Sequence, residues 1–310
     1  MYRLIDQNQS LKQTKSMNSS HISKAAQLIG ITGLLCLQHA AAIDLIPGEI
    51  IAPVAGTKQF LLSYQLSERG DYFKNNSRFL TGPKIETEQL QVRAGYAFDI
   101  YSLPAFFYTQ LPVGTIEPSG TLSNRVGDSG IGDTSFLLAI WPYSNRETGE
   151  YLGLGGYLTL PTGSYEPKRT FLNMGANRTS SALQIGYQRS LMPKLEWMSA
   201  VDGIWFGKND DYSIIHATLK QKNLYNFQTG LRYVINDRYS LAAVHFYSQG
   251  GETNINGVDS NDATSLKRWQ ITGAGMFDFG KITVQYGRDF ETKNGYIENS
   301  RLIIRYGMRF

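Results

Sequence analysis

The sequence predicts an all-β fold: a transmembrane antiparallel up-and-down β-barrel of about twelve strands, with ten and fourteen as the neighbouring even counts, behind an N-terminal export signal. Three observations carry this expectation. Apolar residues recur at every second position through most of the chain after residue 58, and the segments between these runs alternate between long and short. The chain also ends on an aromatic residue at the close of an alternating run.

The terminal run is the most specific of the three. Leu302, Ile304, Tyr306, Met308 and Phe310 share one face of a strand, and Arg301, Arg305 and Arg309 share the other. In a membrane barrel the apolar face meets lipid and the charged face lines a wet lumen. A strand of this kind ending in Phe310 resembles the C-terminal insertion signal of bacterial outer-membrane proteins, which implies the barrel-assembly machinery as a partner.

Composition agrees with a barrel. The 310 residues have a mean hydropathy of −0.27, 12% aromatic and 18% charged residues, 31 glycines and 19 tyrosines. That average and the lack of long apolar stretches exclude a bundle of membrane helices, each of which needs about 20 apolar residues in a row. The aromatic content excludes a disordered chain. A soluble sandwich would share these averages, so the decision rests on pattern.

Residues 1–42 read as a signal peptide. Basic residues precede an apolar run from Ala25 to Leu37, and Ala40-Ala41-Ala42 supplies a small-residue cleavage site. Met17 to Ala42 is a complete signal by itself, so translation starts at Met1 or Met17. The alternative of a membrane anchor needs a longer run, and Leu35 before Cys36 is too bulky for a lipoprotein signal. Removing the leader takes Arg3, Lys12, Lys15, Lys24 and Asp6 with it, leaving 26 basic and 25 acidic residues and no cysteine. The near-neutral remainder lacks the concentrated basic face that nucleic-acid binding requires. Residues 43–57 are expected to form a short periplasmic segment, and residues 58–310 the barrel.

Strands follow in order. Phe60, Leu62, Tyr64 and Leu66 oppose Gln59, Ser63, Gln65 and Ser67; Leu90, Val92, Ala94, Tyr96 and Phe98 oppose Gln91, Arg93, Gly95 and Asp99. The third strand, Ala105 to Leu111, has an ambiguous facing. Phe136, Leu138 and Ile140 form the fourth, and Leu152, Leu154, Leu158 and Leu160 oppose Gly153, Gly155, Tyr157 and Thr159 in the fifth. Leu183, Ile185 and Tyr187 oppose Gln184, Gly186 and Gln188; Leu195, Trp197, Val201 and Trp205 oppose Glu196, Ala200 and Asp202. Tyr225, Phe227, Leu231 and Tyr233 oppose Asn226, Gln228, Gly230 and Arg232. Tyr239 to Tyr247 is again ambiguous. Trp269, Ile271, Phe277 and Phe279 oppose Arg268, Gln270, Thr272 and Asp278, and Ile282, Val284 and Tyr286 oppose Thr283, Gln285 and Asp289. The terminal run is the twelfth strand.

Long connections follow the odd strands: Glu68 to Glu86, Gly114 to Ser129, Pro161 to Asn177, Gly207 to Leu224 and Gln249 to Ser265. Short ones follow the even strands, from Gly280-Lys281 up to Pro142 to Glu150. Long outside and short inside is the outer-membrane arrangement. Tyr96, Trp141, Tyr187, Trp205, Tyr233, Trp269 and Tyr306 suit the aromatic girdles at the two interfaces.

Catalytic chemistry has little to stand on. After the leader only His216 and His245 remain, and neither sits in a Ser-His-Asp arrangement. No clustered His or Cys offers a zinc site, and the acidic stretches Asn209-Asp210-Asp211 and Asn256-Gly257-Val258-Asp259 lack a full calcium-ligand series. Gly127-Asp128-Ser129-Gly130-Ile131-Gly132-Asp133 is glycine-rich like a phosphate loop, but no Lys-Ser/Thr pair follows. No enzyme activity, cofactor, metal site or catalytic residue is expected.

Several stretches together resemble a known family. Gly127 to Thr134, Tyr151 to Tyr157 with Leu160-Pro161-Thr162-Gly163-Ser164-Tyr165, Asn209-Asp210-Asp211-Tyr212 and Gly250-Gly251-Glu252-Thr253 are similar, in this order, to the outer-membrane family associated with the meta pathway of phenol degradation. Transport is ascribed to that group. The resemblance implies a Gram-negative outer-membrane protein, with lipid and a small-molecule solute as further partners.

The expectation is a porin-like channel for passive uptake of small, aromatic or hydrophobic molecules. The rival is a closed structural or surface-interaction barrel acting through its outer loops, with an outer-membrane hydrolase behind both. Candidate lumen-lining residues are Arg93, Asp99, Gln184, Glu196, Asp202, Arg232, Arg268, Asp278, Arg301 and Arg305. Both signs of charge occur, so these residues serve either ion selectivity or structural pairing.

Overall fold

The computed structural model describes residue 44 and residues 46–310. The signal peptide assigned to residues 1–42 and the choice between Met1 and Met17 lie outside the described residues.

Twelve antiparallel strands build the wall: β1 Lys58–Lys74, β2 Pro83–Ile100, β3 Leu103–Gly120, β4 Thr134–Asn145, β5 Glu150–Leu160, β6 Ser180–Met192, β7 Leu195–Phe206, β8 Leu224–Val234, β9 Tyr239–Gly250, β10 Thr264–Phe277, β11 Gly280–Thr292 and β12 Gly295–Arg309. Each pairs with its sequence neighbours, and β12 returns to β1 with Leu62 opposite Tyr306 and Ser67 opposite Arg301. Closure pairs the backbone groups that an open edge would leave unsatisfied in lipid. No helix among the described residues is long and apolar enough to cross a membrane.

The pairing register carries one face around the ring. Gln110 lies opposite Ser135, Leu137 opposite Tyr157, Gln184 opposite Asp202, Glu196 opposite Arg232, Phe246 opposite Arg268, and Thr283 opposite Arg305. These residues face inward. Leu138, Leu158, Leu183, Val201, Phe227, Leu241, Ile271, Val284 and Ile304 face outward and are exposed, an apolar belt suited to lipid. In β3, Phe107 and Leu111 point outward while Phe106, Tyr108 and Gln110 point in; in β9, Leu241, His245 and Tyr247 point outward while Ala242, Val244 and Phe246 point in. Leu302, Ile304, Tyr306 and Met308 take the lipid side of β12.

Three expectations need correction. Trp141 belongs to no girdle: it is buried in the lumen, where its indole N–H donates to the Ile50 carbonyl at 2.7 Å. Much of the predicted first and second outer loops is strand, because β1, β2 and β3 run for 17, 18 and 18 residues where about 9–11 cross the membrane. Above the bilayer the outer face meets water instead of lipid while the inner face stays buried at Tyr72, Ile85 and Ile116, so the apolar lipid-side register stops while the hydrogen-bond ladder continues. The lipid-side register there carries ions instead: Lys84 lies 3.2 Å from Glu68 and 2.9 Å from Glu86. Thirdly, of the segment 43–57 expected in the periplasm, residues 46–52 turn up into the barrel, while residues 54–56 stay exposed. Ile46, Ile50 and Ala52 are buried, and the barrel interior is the apolar surface available to them.

Outside, the fourth and fifth long loops contribute residues 209–212, 217–221, 253–255 and 258–259 to a separate four-stranded sheet. Its acidic residues find basic partners: Lys208 with Asp210 at 2.7 Å, His216 with Asp211, and Lys222 with Asp259 at 3.3 Å. His245, facing lipid, packs on Phe290 at 5.7 Å between ring centroids.

Candidate functional site: the barrel lumen

The lumen is filled in three layers. The outermost is a lid formed by the loop 161–179. Phe171, Leu172 and Met174 are buried against Tyr72, Ile85, Ile116 and Tyr296 of the tall β1–β3 wall and β12. Two aspartates from the glycine-rich stretch 127–133 fasten it. Asp128 accepts the Met174 amide at 2.8 Å and the Arg169 guanidinium at 2.7 Å. Asp133 accepts the Gly163 amide at 2.9 Å and the Ala176 amide at 2.8 Å. The two ends of the loop meet where Gly163 and Gly175 touch, so closely that a Cβ on either would fall 2.8 Å from the other's backbone. The stretch that looked like a phosphate loop is therefore the lid's anchor.

The middle layer is ionic and buried. Glu298 sits 3.1 Å from Arg69 and 2.9 Å from Arg301, and accepts the Ser67 hydroxyl at 2.6 Å. Asp289 accepts the backbone amide of Glu298 at 2.9 Å. Asp44, carried up by the N-terminal segment, reaches Arg268 at 2.5 Å and Arg301 at 3.0 Å. Charges withdrawn from water need this degree of pairing.

Below it, the N-terminal segment packs on the inner wall. Ile50 and Ala52 join Tyr108, Leu137, Ala139, Trp141, Met198, Ala200, Val244 and Phe246 in one apolar cluster. Gly186 makes room for Ile50, since a Cβ there would approach it to 3.3 Å. Arg93 binds Glu49 at 2.9 Å and stacks over the Tyr108 ring, 4.1 Å from its centroid. Arg146 donates to the Ala52 carbonyl at 2.8 Å. A cavity of about 390 Å³ remains between this segment and the wall, bordered by Phe106, Tyr108 and Trp141 on one side and by Arg232, Lys281 and Arg309 on another.

The other sequence-derived candidates fall into place around these layers. Asp202 accepts Asn226 at 2.6 Å and Gln184 at 3.2 Å, and Arg232 pairs with Glu196 at 2.8 Å. Arg305 is buried and points inward from β12. Two candidates do not join them. Asp278 lies in the β10–β11 turn, fully in solvent and only loosely paired with Arg238 at 3.9 Å, because β10 ends one residue earlier. Asp99 holds the inward register but is exposed at the periplasmic rim. Sequence reasoning missed Glu49, Asp44, Asp128 and Asp133 as lumen-forming residues. The signals were there: apolar residues at Ile46, Ile50 and Ile51 between leader and first strand, and Phe171-Leu172 inside a polar loop.

The comparisons with known proteins agree with this geometry. The family model described as "Putative MetA-pathway of phenol degradation" matches residues 71–306. An outer membrane channel from Pseudomonas putida F1, known from its crystal structure, superposes with a TM-score of 0.83 at 29% identity, covering 86% of this chain and 100% of that one. The β domain of the Bordetella autotransporter BrkA superposes with a TM-score of 0.50 at 10% identity, covering 82% and 100%, which reflects the barrel fold alone. No curated protein matches the chain.

Proposed function

The chain belongs to the family of the MetA pathway of phenol degradation and is an outer-membrane barrel related to a channel, and on that premise we propose that it passes small aromatic or hydrophobic molecules passively through its lumen rather than transforming them. The observation that supports this reading most is the cavity of about 390 Å³ between the N-terminal segment and the wall, whose aromatic border of Phe106, Tyr108 and Trp141 suits a ring-bearing solute. Passage needs two movements. The lid 161–179 has to lift from Tyr72 and Tyr296, and the N-terminal segment has to leave the ionic layer. Both are held by polar contacts together with an apolar cluster, and neither belongs to the hydrogen-bonded wall, so both can move without disturbing it.

Proteoliposome swelling tests the reading. Swelling is expected with small aromatic solutes and to be several-fold slower with sugars of similar size. Equal silence toward every solute, in the protein with both lid and N-terminal segment released, would leave the closed barrel as the function. The lid over the outer end and the N-terminal segment inside the lumen favour that second reading enough to make the comparison necessary, and the four-stranded sheet of the outer loops would then be its working surface.

Assembly is proposed to proceed through β12 and the barrel-assembly machinery. Removal of Phe310 is expected to lower the amount of heat-modifiable, folded protein in the outer membrane severalfold. Unchanged folded protein would show that the terminal aromatic is dispensable for insertion.

A further inference from the structure

The charges of the lumen do not balance locally. Arg93 has Glu49, Arg232 has Glu196, and Arg268 and Arg301 share Asp44. Three further cations face inward on the β11–β12 pair with no ion-pair partner among the described residues. Lys281 lies opposite Gly307, which places Arg305 and Arg309 diagonally on either side of it on the same face. Arg305 is only 8% exposed, and its Nη1 has no hydrogen-bond partner among the described residues. Lys281 and Arg309 border the aromatic-walled cavity. Their closest neighbours from the adjoining strands, Thr283, Ser63 and Gln59, are neutral. Of the acids that border the same cavity, Asp44 is engaged by Arg268 and Arg301, Glu49 by Arg93 and by the backbone amide of Ile46 at 3.2 Å, and Asp237 is exposed in the β8–β9 turn.

A buried guanidinium without a counter-charge is costly. The remedy elsewhere in this lumen is a carboxylate: the N-terminal segment supplies Asp44 to one pair of arginines and Glu49 to another arginine. Its carboxylates thus occupy seats of the same kind as the one left open. We propose that Arg305, Lys281 and Arg309 form the binding site for the carboxylate of a small aromatic or aliphatic acid, whose apolar body lies along the Tyr108 and Trp141 wall. Resting on the channel reading, this names the solute class: amphipathic monocarboxylates rather than neutral hydrocarbons. Two guanidinium groups and an ammonium at the periplasmic end of the path draw the anion through, and the Asp44 and Glu49 seats above become further steps for it once the N-terminal segment withdraws.

Equilibrium dialysis of the purified full-length barrel in detergent tests the site apart from passage, with benzoate, hexanoate and inorganic phosphate as probes and empty micelles as the blank. Benzoate and hexanoate are expected to bind, with affinity about tenfold weaker in K281Q/R305Q/R309Q, as loss of charge-assisted contacts requires. The charge-retaining K281R/R309K is expected to bind as the parent does, and heat-modifiability on gels confirms that each variant is folded. Benzoate binding unchanged by the triple variant overturns the proposal. Phosphate binding as tightly as benzoate overturns the amphipathic class and leaves a bare oxyanion site. Proteoliposome swelling then separates the two readings: carboxylate binding without any swelling refutes the channel but keeps the site, whereas swelling with neutral aromatics and no carboxylate binding keeps the channel and refutes the site.

Discussion

Asp128→Ala combined with Asp133→Ala will free the outer lid, and the loop 161–179 will become a substrate for trypsin on intact cells. Four hydrogen bonds cross from these two carboxylates to the lid: to the amides of Met174, Gly163 and Ala176 and to the guanidinium of Arg169. Bonds to charged groups each contribute about 1.5–3 kcal/mol net, and Asp128 is almost completely buried, so a combined loss on the order of 4 kcal/mol follows even after partial replacement by water. That corresponds to an open-lid population larger by about a thousandfold. Cleavage after Lys168 or Arg169 should accelerate to match, and planar bilayers should show more frequent openings. Asp128→Asn keeps one acceptor oxygen and gives up the ion pair with Arg169, so it belongs between the parent and the double variant. The apolar contacts of Phe171 and Leu172 with Tyr72 and Tyr296 remain in every case. If the double variant resists trypsin as well as the parent does, those apolar contacts hold the lid and the aspartates only shape it.

The wall was legible in the sequence and its contents were not, for one physical reason. A strand between lipid and lumen has two different solvents on its two faces, and the alternation of Leu183 and Ile185 with Gln184 and Gly186 records that difference directly. Where lipid gives way to water, the record fades. Glu68, Lys84 and Glu86 read as loop because water replaces lipid on the outer side of the β1–β3 extension while the lid covers Tyr72, Ile85 and Ile116 on its inner side, although the backbone pairing continues without interruption. Inside the barrel a third environment intrudes, the chain's own N-terminal segment. Leu61, Ile303 and Phe246 face inward against the polar rule because parts of the lumen are dry. Trp141 follows the inward register of its strand, yet as an aromatic it read as a membrane-interface residue; its indole N–H instead reaches across the lumen to the Ile50 carbonyl of the inserted segment. The missing information was the location of a partner, and an apolar Ile46-to-Ala52 stretch with no strand of its own was the trace it left.

Arg301→Gln and Arg305→Gln are expected to differ sharply in their effect on stability, although the two arginines stand four residues apart on the same inward face of β12. Arg301 pairs with Glu298 and Asp44. Its loss leaves Glu298 to Arg69 and Ser67, and Asp44 to Arg268 alone, in a layer where all of these side chains are largely withdrawn from water. Breaking one partner out of a buried pair typically costs about 3–5 kcal/mol, and the remaining arginines reduce that to roughly 3 kcal/mol here. The midpoint of urea unfolding, followed by loss of the heat-modifiable form in detergent, should fall accordingly, and the N-terminal segment should loosen because Asp44 is its uppermost tether. Arg305 has no acid to abandon among the described residues. Replacing it with a shorter neutral side chain removes an uncompensated buried charge, so the midpoint should stay level or rise. Selectivity should show the reverse ranking: Arg301 is already neutralised by two carboxylates and should contribute little to the field in the pore, while Arg305 should contribute its full charge. Reversal potentials in planar bilayers under a salt gradient should therefore shift toward cations for Arg305→Gln and hardly at all for Arg301→Gln. Equal losses of stability for the two variants would mean that Arg305 has found an acid partner too, and the open anion seat beside Lys281 would be closed.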